Sequence, residues 1–129
     1  MIVVAIIGIL AAVAIPAYRE YVATSYGGSA MGGANNFSSK VQACVQTGIG
    51  CTELATSPGT TVIAAGAATS QTQVYLSAAP AEQDGVDVVA INKGCTVTAT
   101  VDNEGGVTYV ATATGTVSTT DQCEKGANL

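Results

Sequence analysis

The sequence lacks histidine and tryptophan altogether, and only 10% of its residues are charged. Histidine is the commonest metal ligand in proteins and the commonest general acid or base, so its absence removes the usual centre of both kinds of site. The chain also contains no nucleophile motif and no glycine-rich phosphate loop that follows a strand. We therefore expect no catalytic residue, no metal site and no cofactor, and we do not expect an enzyme.

Positive charge is scarce as well. The chain carries 4 Lys and Arg residues against 9 Asp and Glu residues, which gives a net charge of −5. This balance argues against a broadly basic surface that would bind nucleic acid. With so few charges, the surface must be built from Thr, Ser, Gly, Ala, Gln and Asn, and such a surface tolerates close packing against copies of the same chain.

The four cysteines predict disulfides rather than a metal site. Zinc sites need closely spaced ligand pairs such as C-x2-C, whereas Cys44 and Cys51 are separated by six residues, and Cys95 and Cys123 stand far apart. Four cysteines allow three pairings. Local pairing, Cys44 with Cys51 and Cys95 with Cys123, is the simplest. Pairing of Cys44 with Cys95 or Cys123, which would tie the predicted helix to the predicted sheet, stays open.

Residues 1–17 form an apolar segment in which Met1 to Ile15 includes no charge. Fifteen residues of helix extend only about 22 Å. The hydrocarbon core of a bilayer is about 30 Å thick, so the stretch taken literally is short for a membrane span. A signal peptide is an alternative, since Ala12 to Ala14 resembles a cleavage site, but no basic segment precedes the apolar run.

Residues 18–47 are expected to form the amphipathic helix of a globular domain. Apolar residues recur there at three- and four-residue steps, which places them on one helical face; they are Ala30, Ala34, Phe37, Val41, Cys44 and Val45. Four glycines between positions 27 and 33 oppose this interpretation, because each costs about 1 kcal/mol in a helix interior. Either the helix is packed along its length or it bends or frays at these glycines.

The rest of the chain is expected to contain a connecting loop over residues 48–85 and a sheet with a C-terminal loop over residues 86–129. A short strand is possible at 72–76. Period-two alternation with β-branched residues predicts strands at Cys95–Val101 and from Val107 to about residue 114, with a hairpin turn between them. A third strand is predicted at Val86–Ile91, before the turn residues 92–94. Residues 117–120 could add another strand. The predicted fold is α+β: a long N-terminal helix, its apolar half protruding, packed on three or four antiparallel strands.

The segment MIVVAIIGILAAVAIPAYREYV strongly resembles the N-terminal segment of type IV pilins of the type IVa group. The resemblance implies the pilin fold, in which a disulfide closes the C-terminal loop, and Cys95–Cys123 resembles that disulfide. The region associated with it, including residues 116–124, would be the variable outer loop of the family. Cys44–Cys51 is not a general pilin feature. In the family, phenylalanine and glutamate precede the apolar run, prepilin peptidase cleaves before the phenylalanine, and the new amine is methylated. We therefore expect that a few N-terminal residues are missing from this sequence.

The resemblance implies a major pilus subunit that lies in the inner membrane before assembly and then polymerises with its own copies into an extracellular helical filament, on a cell that is expected to be Gram-negative. The pilus assembly machinery would be a further partner. Such filaments serve attachment to host or abiotic surfaces, twitching motility, aggregation and DNA uptake. Gly8 and Pro16 would bracket the part of the helix that melts on assembly. The residues expected to pack in the filament core are Ile2, Val3, Val4, Ile6, Ile7, Ile9, Leu10, Val13 and Ile15.

Two narrower alternatives remain from the sequence. A type II secretion pseudopilin has nearly the same N-terminal segment, but major pseudopilins usually lack disulfides and often bind calcium; Glu82, Asp84 and Asp87 are better interpreted as a solvated loop. A minor pilin is also possible.

Lys93 and Lys125 are candidate contacts for DNA or a surface, because a Cys95–Cys123 bond would bring their neighbourhoods together, although solubilising lysines are the simpler interpretation.

Overall fold

A computed structural model describes residues 1–52, 60–62 and 68–129 of the 129-residue chain, with the backbone alone described for 60–62. Helix α1 spans Ile2–Thr47, and helix α2 spans Thr120–Gly126. The strands are β1 (Thr60–Val62), β2 (Gln73–Leu76), β3 (Val86–Ile91), β4 (Cys95–Val101) and β5 (Val107–Ala113). The fold is α+β, with a long helix packed across an antiparallel sheet, as the sequence predicts.

Helix α1 is continuous over 46 residues and includes Gly8, Pro16 and all the glycines between 27 and 33. Its last turn is closed by Gly48, which has a left-handed conformation (φ 73°) and donates its N–H to the carbonyl of Cys44 at 2.7 Å. The structure therefore decides between the packed helix and the bent or frayed helix, both of which the sequence left open. The glycine-rich stretch is helical, and it is packed rather than frayed: a Cβ on Gly33 would lie only 3.0 Å from the side chain of Val74.

The described strands form one sheet in the order β1-β2-β3-β4-β5, in which β1 pairs parallel to β2 and the other neighbours are antiparallel. The register places Val88, Ala99 and Tyr109 side by side on the face that packs against α1. The strands predicted at β3, β4 and β5 are confirmed. So is the hairpin turn, which is closed where Asp102 donates its N–H to the carbonyl of Gly106 at 2.9 Å.

The helix packs on the sheet through small side chains. Its buried residues are Ala23, Gly27, Ala30, Ala34, Ser38, Val41, Cys44 and Val45. Phe37, expected on this face, is only half-buried, and Ser38 is buried in its place. Ser38 is accommodated because its hydroxyl hydrogen-bonds the hydroxyl of Tyr109 at 2.8 Å, and a buried hydroxyl costs little once it has a partner.

The expected strand at residues 117–120 is wrong, because Thr120 begins helix α2. Thr119 caps this helix: its side chain accepts from the N–H of Gln122, and the side chain of Gln122 accepts from the N–H of Thr119. This reciprocal capping satisfies donors that a helix start otherwise leaves unpaired, so it favours helix over strand.

The connection expected over residues 48–85 contains strands as well as loop. β2 lies where a short strand was thought possible, whereas β1 was not expected. Residues 53–59 and 63–67 of this connection lie outside the described part of the chain. The sheet therefore begins before Val86 in sequence, although β3 itself begins there.

Candidate interaction surface of the long helix

The N-terminal half of α1 is apolar and exposed on every side. The nine large apolar residues expected in a filament core are between 51% and 77% exposed. In contrast, buried residues appear in α1 only from Ala23 onward, where the helix meets the sheet and α2. One helix thus lies in two environments: its second half belongs to the core of the domain, whereas the apolar side chains from Ile2 to Ile15 are exposed.

Water is an unfavourable environment for this surface. Complete burial of a Val, Leu or Ile side chain is worth about 1.5–3 kcal/mol, so complete burial of nine of them is worth roughly 14–27 kcal/mol. Soluble monomers rarely expose contiguous apolar patches of this kind. By length and composition α1 is able to cross a membrane, and its apolar window is wholly unburied, unlike the core helix of a soluble protein. The helix is therefore compatible with membrane association.

Gly8 and Pro16 lie inside regular helix in this structure. A Cβ on Gly8 would meet nothing within 4 Å, and Pro16 lines a groove with Ile15 and Arg19. Proline in a helix interior removes a backbone hydrogen bond and costs about 3 kcal/mol. Both residues are thus intrinsically weak points of an otherwise regular helix, and their melting on assembly stays a prediction.

The two disulfides follow the local pairing. Cys44 bonds Cys51 and ties the last turn of α1 to the segment that follows it; Cys95 bonds Cys123 and ties the start of β4 to α2. The cross-pairings between helix and sheet are not formed. The region bounded by Cys95–Cys123, expected to be an outer loop, includes most of α2, which packs against α1 rather than standing free.

Lys93 and Lys125, the two candidate cationic contacts, lie on different elements of the fold. Lys93 lies in the turn between β3 and β4, where its backbone N–H donates to the carbonyl of Thr69 at 2.6 Å. Lys125, on α2, forms an ion pair with Glu20 of α1 at 3.6 Å. Glu20 therefore partly compensates the charge of Lys125, and a contact of either lysine with DNA or a surface stays a prediction. Within the described residues, no group of His, Cys, Asp or Glu is arranged to hold a metal ion.

Two features of the domain that packs on α1 were not predicted from the sequence. The first is helix α2, for which the sequence does contain a signal: Thr119 and Gln122 have the T-x-x-Q spacing of a capping box. The second is the buried Asn92, whose role no sequence motif indicates. Its buried side chain donates to the carbonyl of Tyr26 and to the Thr72 hydroxyl and accepts from the N–H groups of Gly94 and Cys95, so it links α1 to the β3–β4 turn.

Comparison with known proteins does not assign this chain to a family. No protein-family model matches this chain, and no solved structure matches it significantly. The long apolar N-terminal helix followed by an antiparallel sheet fits a pilin-like fold. Membership of the pilin family therefore stays an expectation that rests on the resemblance of residues 1–22.

Proposed function

We propose that this chain is the major structural subunit of a type IV pilus and that it polymerises by burying the N-terminal half of α1 in the core of a helical filament. One observation carries the proposal: the apolar half of α1 is exposed on every side, yet it is continuous with the core helix of a folded domain. An apolar surface on all sides of a helix requires apolar surroundings on all sides. A bundle of identical helices supplies them.

The same surface suits both environments that the proposal requires. In the inner membrane lipid chains surround it, and in the filament core it contacts the equivalent helices of neighbouring subunits. Because both environments are apolar, transfer between them gains little hydrophobic free energy, and packing between helices decides the balance. The small residues Ala5, Gly8, Ala11 and Ala12 within this stretch favour close packing of helices.

The proposed role is structural and not enzymatic. The filament would be extracellular and would serve attachment, twitching motility, aggregation or DNA uptake. Prepilin peptidase and the pilus assembly machinery would act on the chain before and during assembly. The resemblance of residues 1–22 to type IVa pilins supports these roles, and the weakly charged surface, with 10% charged residues, favours self-association.

Electron microscopy of filaments sheared from cells that produce the chain, with mass spectrometry of their subunit, tests the proposal. We expect long surface filaments built mainly of this chain. Ile6→Glu places a charge in the exposed apolar half of α1 and should abolish them. Val110→Glu makes the same kind of change at an exposed position on β5 and should leave them intact, while Ile6→Val should preserve assembly.

Three outcomes would contradict a major pilin. Short fibres confined to the periplasm would identify a pseudopilin. Trace amounts of the chain in filaments built of another subunit would identify a minor pilin. Normal filaments from the Ile6→Glu variant would show that this surface does not form the core.

A further inference from the structure

We infer that the base of the globular domain rests in the headgroup region of a phospholipid bilayer, through a collar of five residues contributed by three separate parts of the chain. The collar consists of Tyr18, Arg19 and Tyr21 of α1, Val117 of the segment after β5, and Lys125 of α2. This inference deepens the membrane-resident stage of the proposed function and does not depend on polymerisation.

The tertiary structure brings the collar together at one level of α1. Val117 lines one groove with Ile15 and Arg19 and another with Tyr18. Lys125 lines a third groove with Tyr21. Residues about 100 positions apart in sequence thus surround the same helical turns, where the exposed apolar segment meets the folded domain.

The collar has the composition of a membrane interface. Tyr18 and Tyr21 are 67% and 73% exposed although they adjoin a well-packed domain, and Val117 adds exposed apolar surface beside them. Tyrosine is enriched at the boundary between hydrocarbon and headgroups, because its ring is apolar and its hydroxyl is polar. Long basic side chains likewise lay their apolar stems along lipid and extend their charges to the headgroups.

The charges of the collar suit lipid phosphates. Arg19 forms no ion pair within the described residues, so its guanidinium is available to a phosphate, which it can bind through two parallel hydrogen bonds. Glu20, the acidic residue at this level of α1, is compensated by Lys125. Asp121 and Glu124, which are exposed on α2, line none of the three grooves.

The absence of tryptophan from the chain allows a depth measurement with a single fluorophore in each variant. Full-length Leu10→Trp, Tyr21→Trp, Val117→Trp and Val110→Trp proteins would be reconstituted into phosphatidylcholine vesicles brominated either near the headgroups or near the bilayer centre. We expect deep bromine to quench Leu10→Trp most and shallow bromine to quench Tyr21→Trp and Val117→Trp most. Val110→Trp, on the outer face of the sheet, should keep its emission with both lipids.

Val117→Trp is the decisive variant, because only the folded domain places residue 117 beside the helix. If Tyr21→Trp is quenched by shallow bromine and Val117→Trp is not, the domain stands away from the bilayer and the inference is wrong. Equal quenching of Val117→Trp and Val110→Trp would also overturn it, since the domain would then lie on its side. Thr116→Trp, at the exposed neighbouring position, repeats the measurement if Val117→Trp does not fold.

Arg19 provides a second test. Arg19→Gln in the Tyr21→Trp background should move quenching toward the deeper bromine, because the contact with phosphate that holds this turn at the surface is lost; Arg19→Lys should not. If Arg19→Gln leaves the depth of the Trp at position 21 unchanged, Arg19 does not hold this turn at the headgroups. If Leu10→Trp is not quenched by either lipid, the chain does not insert, and the membrane stage of the proposed function fails with the inference. Filament formation alongside a failed collar test would leave the proposed function standing.

Discussion

Gly27 of α1 lies directly against the backbone carbonyl of Cys123 in α2: a Cβ at position 27 would come within 2.5 Å of that oxygen. Gly126 makes the reciprocal approach from α2, where a Cβ would collide with the carbonyl of Thr24. The two helices can pack this closely only because neither has a side chain at these positions. Gly27, which weakens α1 as an isolated helix, is thus one of the two glycines that allow α2 to dock on it.

Gly27→Ala should destabilise the protein by about 1–3 kcal/mol, because overpacking at a site bounded by backbone forces the helices apart. Gly32→Ala is the matched control, since a Cβ there meets nothing within 4 Å, and alanine should stabilise the helix by up to about 1 kcal/mol. Urea unfolding of the full chain in detergent, followed by circular dichroism, measures both. A neutral Gly27→Ala would contradict the close contact between α1 and α2.

Asn92→Leu should destabilise the protein by about 3 kcal/mol or more, because it leaves several buried backbone and hydroxyl groups without partners. The lost hydrogen bonds include those to the carbonyl of Tyr26 at 2.9 Å and from the N–H of Cys95 at 2.8 Å. Asn103→Leu, in the exposed β4–β5 turn, should change stability by less than about 0.5 kcal/mol. Thermal unfolding distinguishes the two, and equal losses would argue against this network.

The two disulfides should contribute unequally to stability. The loop-closure relation gives about 3.5 kcal/mol for Cys95–Cys123, which closes the longer loop, and about 2.5 kcal/mol for Cys44–Cys51; their sequence separations are 28 and 7. Paired Cys→Ala variants, compared by urea unfolding, test the order. A larger loss from the Cys44/Cys51 variant would show that this bond acts mainly through the native contacts it holds.

Thr119→Ala should destabilise the protein by about 1 kcal/mol, because the first turn of α2 loses its cap. Thr119→Ser retains the hydroxyl that accepts from the N–H of Gln122 and should be close to neutral. Hydrogen exchange at the amide of Gln122 provides a local readout: protection should fall in Thr119→Ala and persist in Thr119→Ser. Unchanged protection in both variants would mean that tertiary contacts alone hold this turn.

The sequence predicted β3, β4 and β5 closely, because runs rich in β-branched residues, and in β4 and β5 their alternation with Thr, are local patterns. It did not predict β1, whose three residues show no period of their own and which forms by pairing with β2. It placed Phe37 rather than Ser38 on the buried face, because helical periodicity cannot show that Tyr109 supplies a hydrogen-bond partner for a serine. For the interaction surface, it identified the apolar run but not the collar, whose Val117 and Lys125 reach α1 only through the fold.

By itself, the sequence determined the α+β class, the apolar character of residues 1–17 and the disulfide chemistry of the four cysteines, because composition and periodicity are properties of neighbouring residues. The tertiary structure decided which cysteines pair, that α1 stays helical through its glycines, and that residues 120–126 form a helix against it. Each of these depends on contacts between segments that only the folded chain brings together: a backbone close enough to require glycine, or a second sulfur within bonding distance. The free energies of such contacts arise only when the chain has folded.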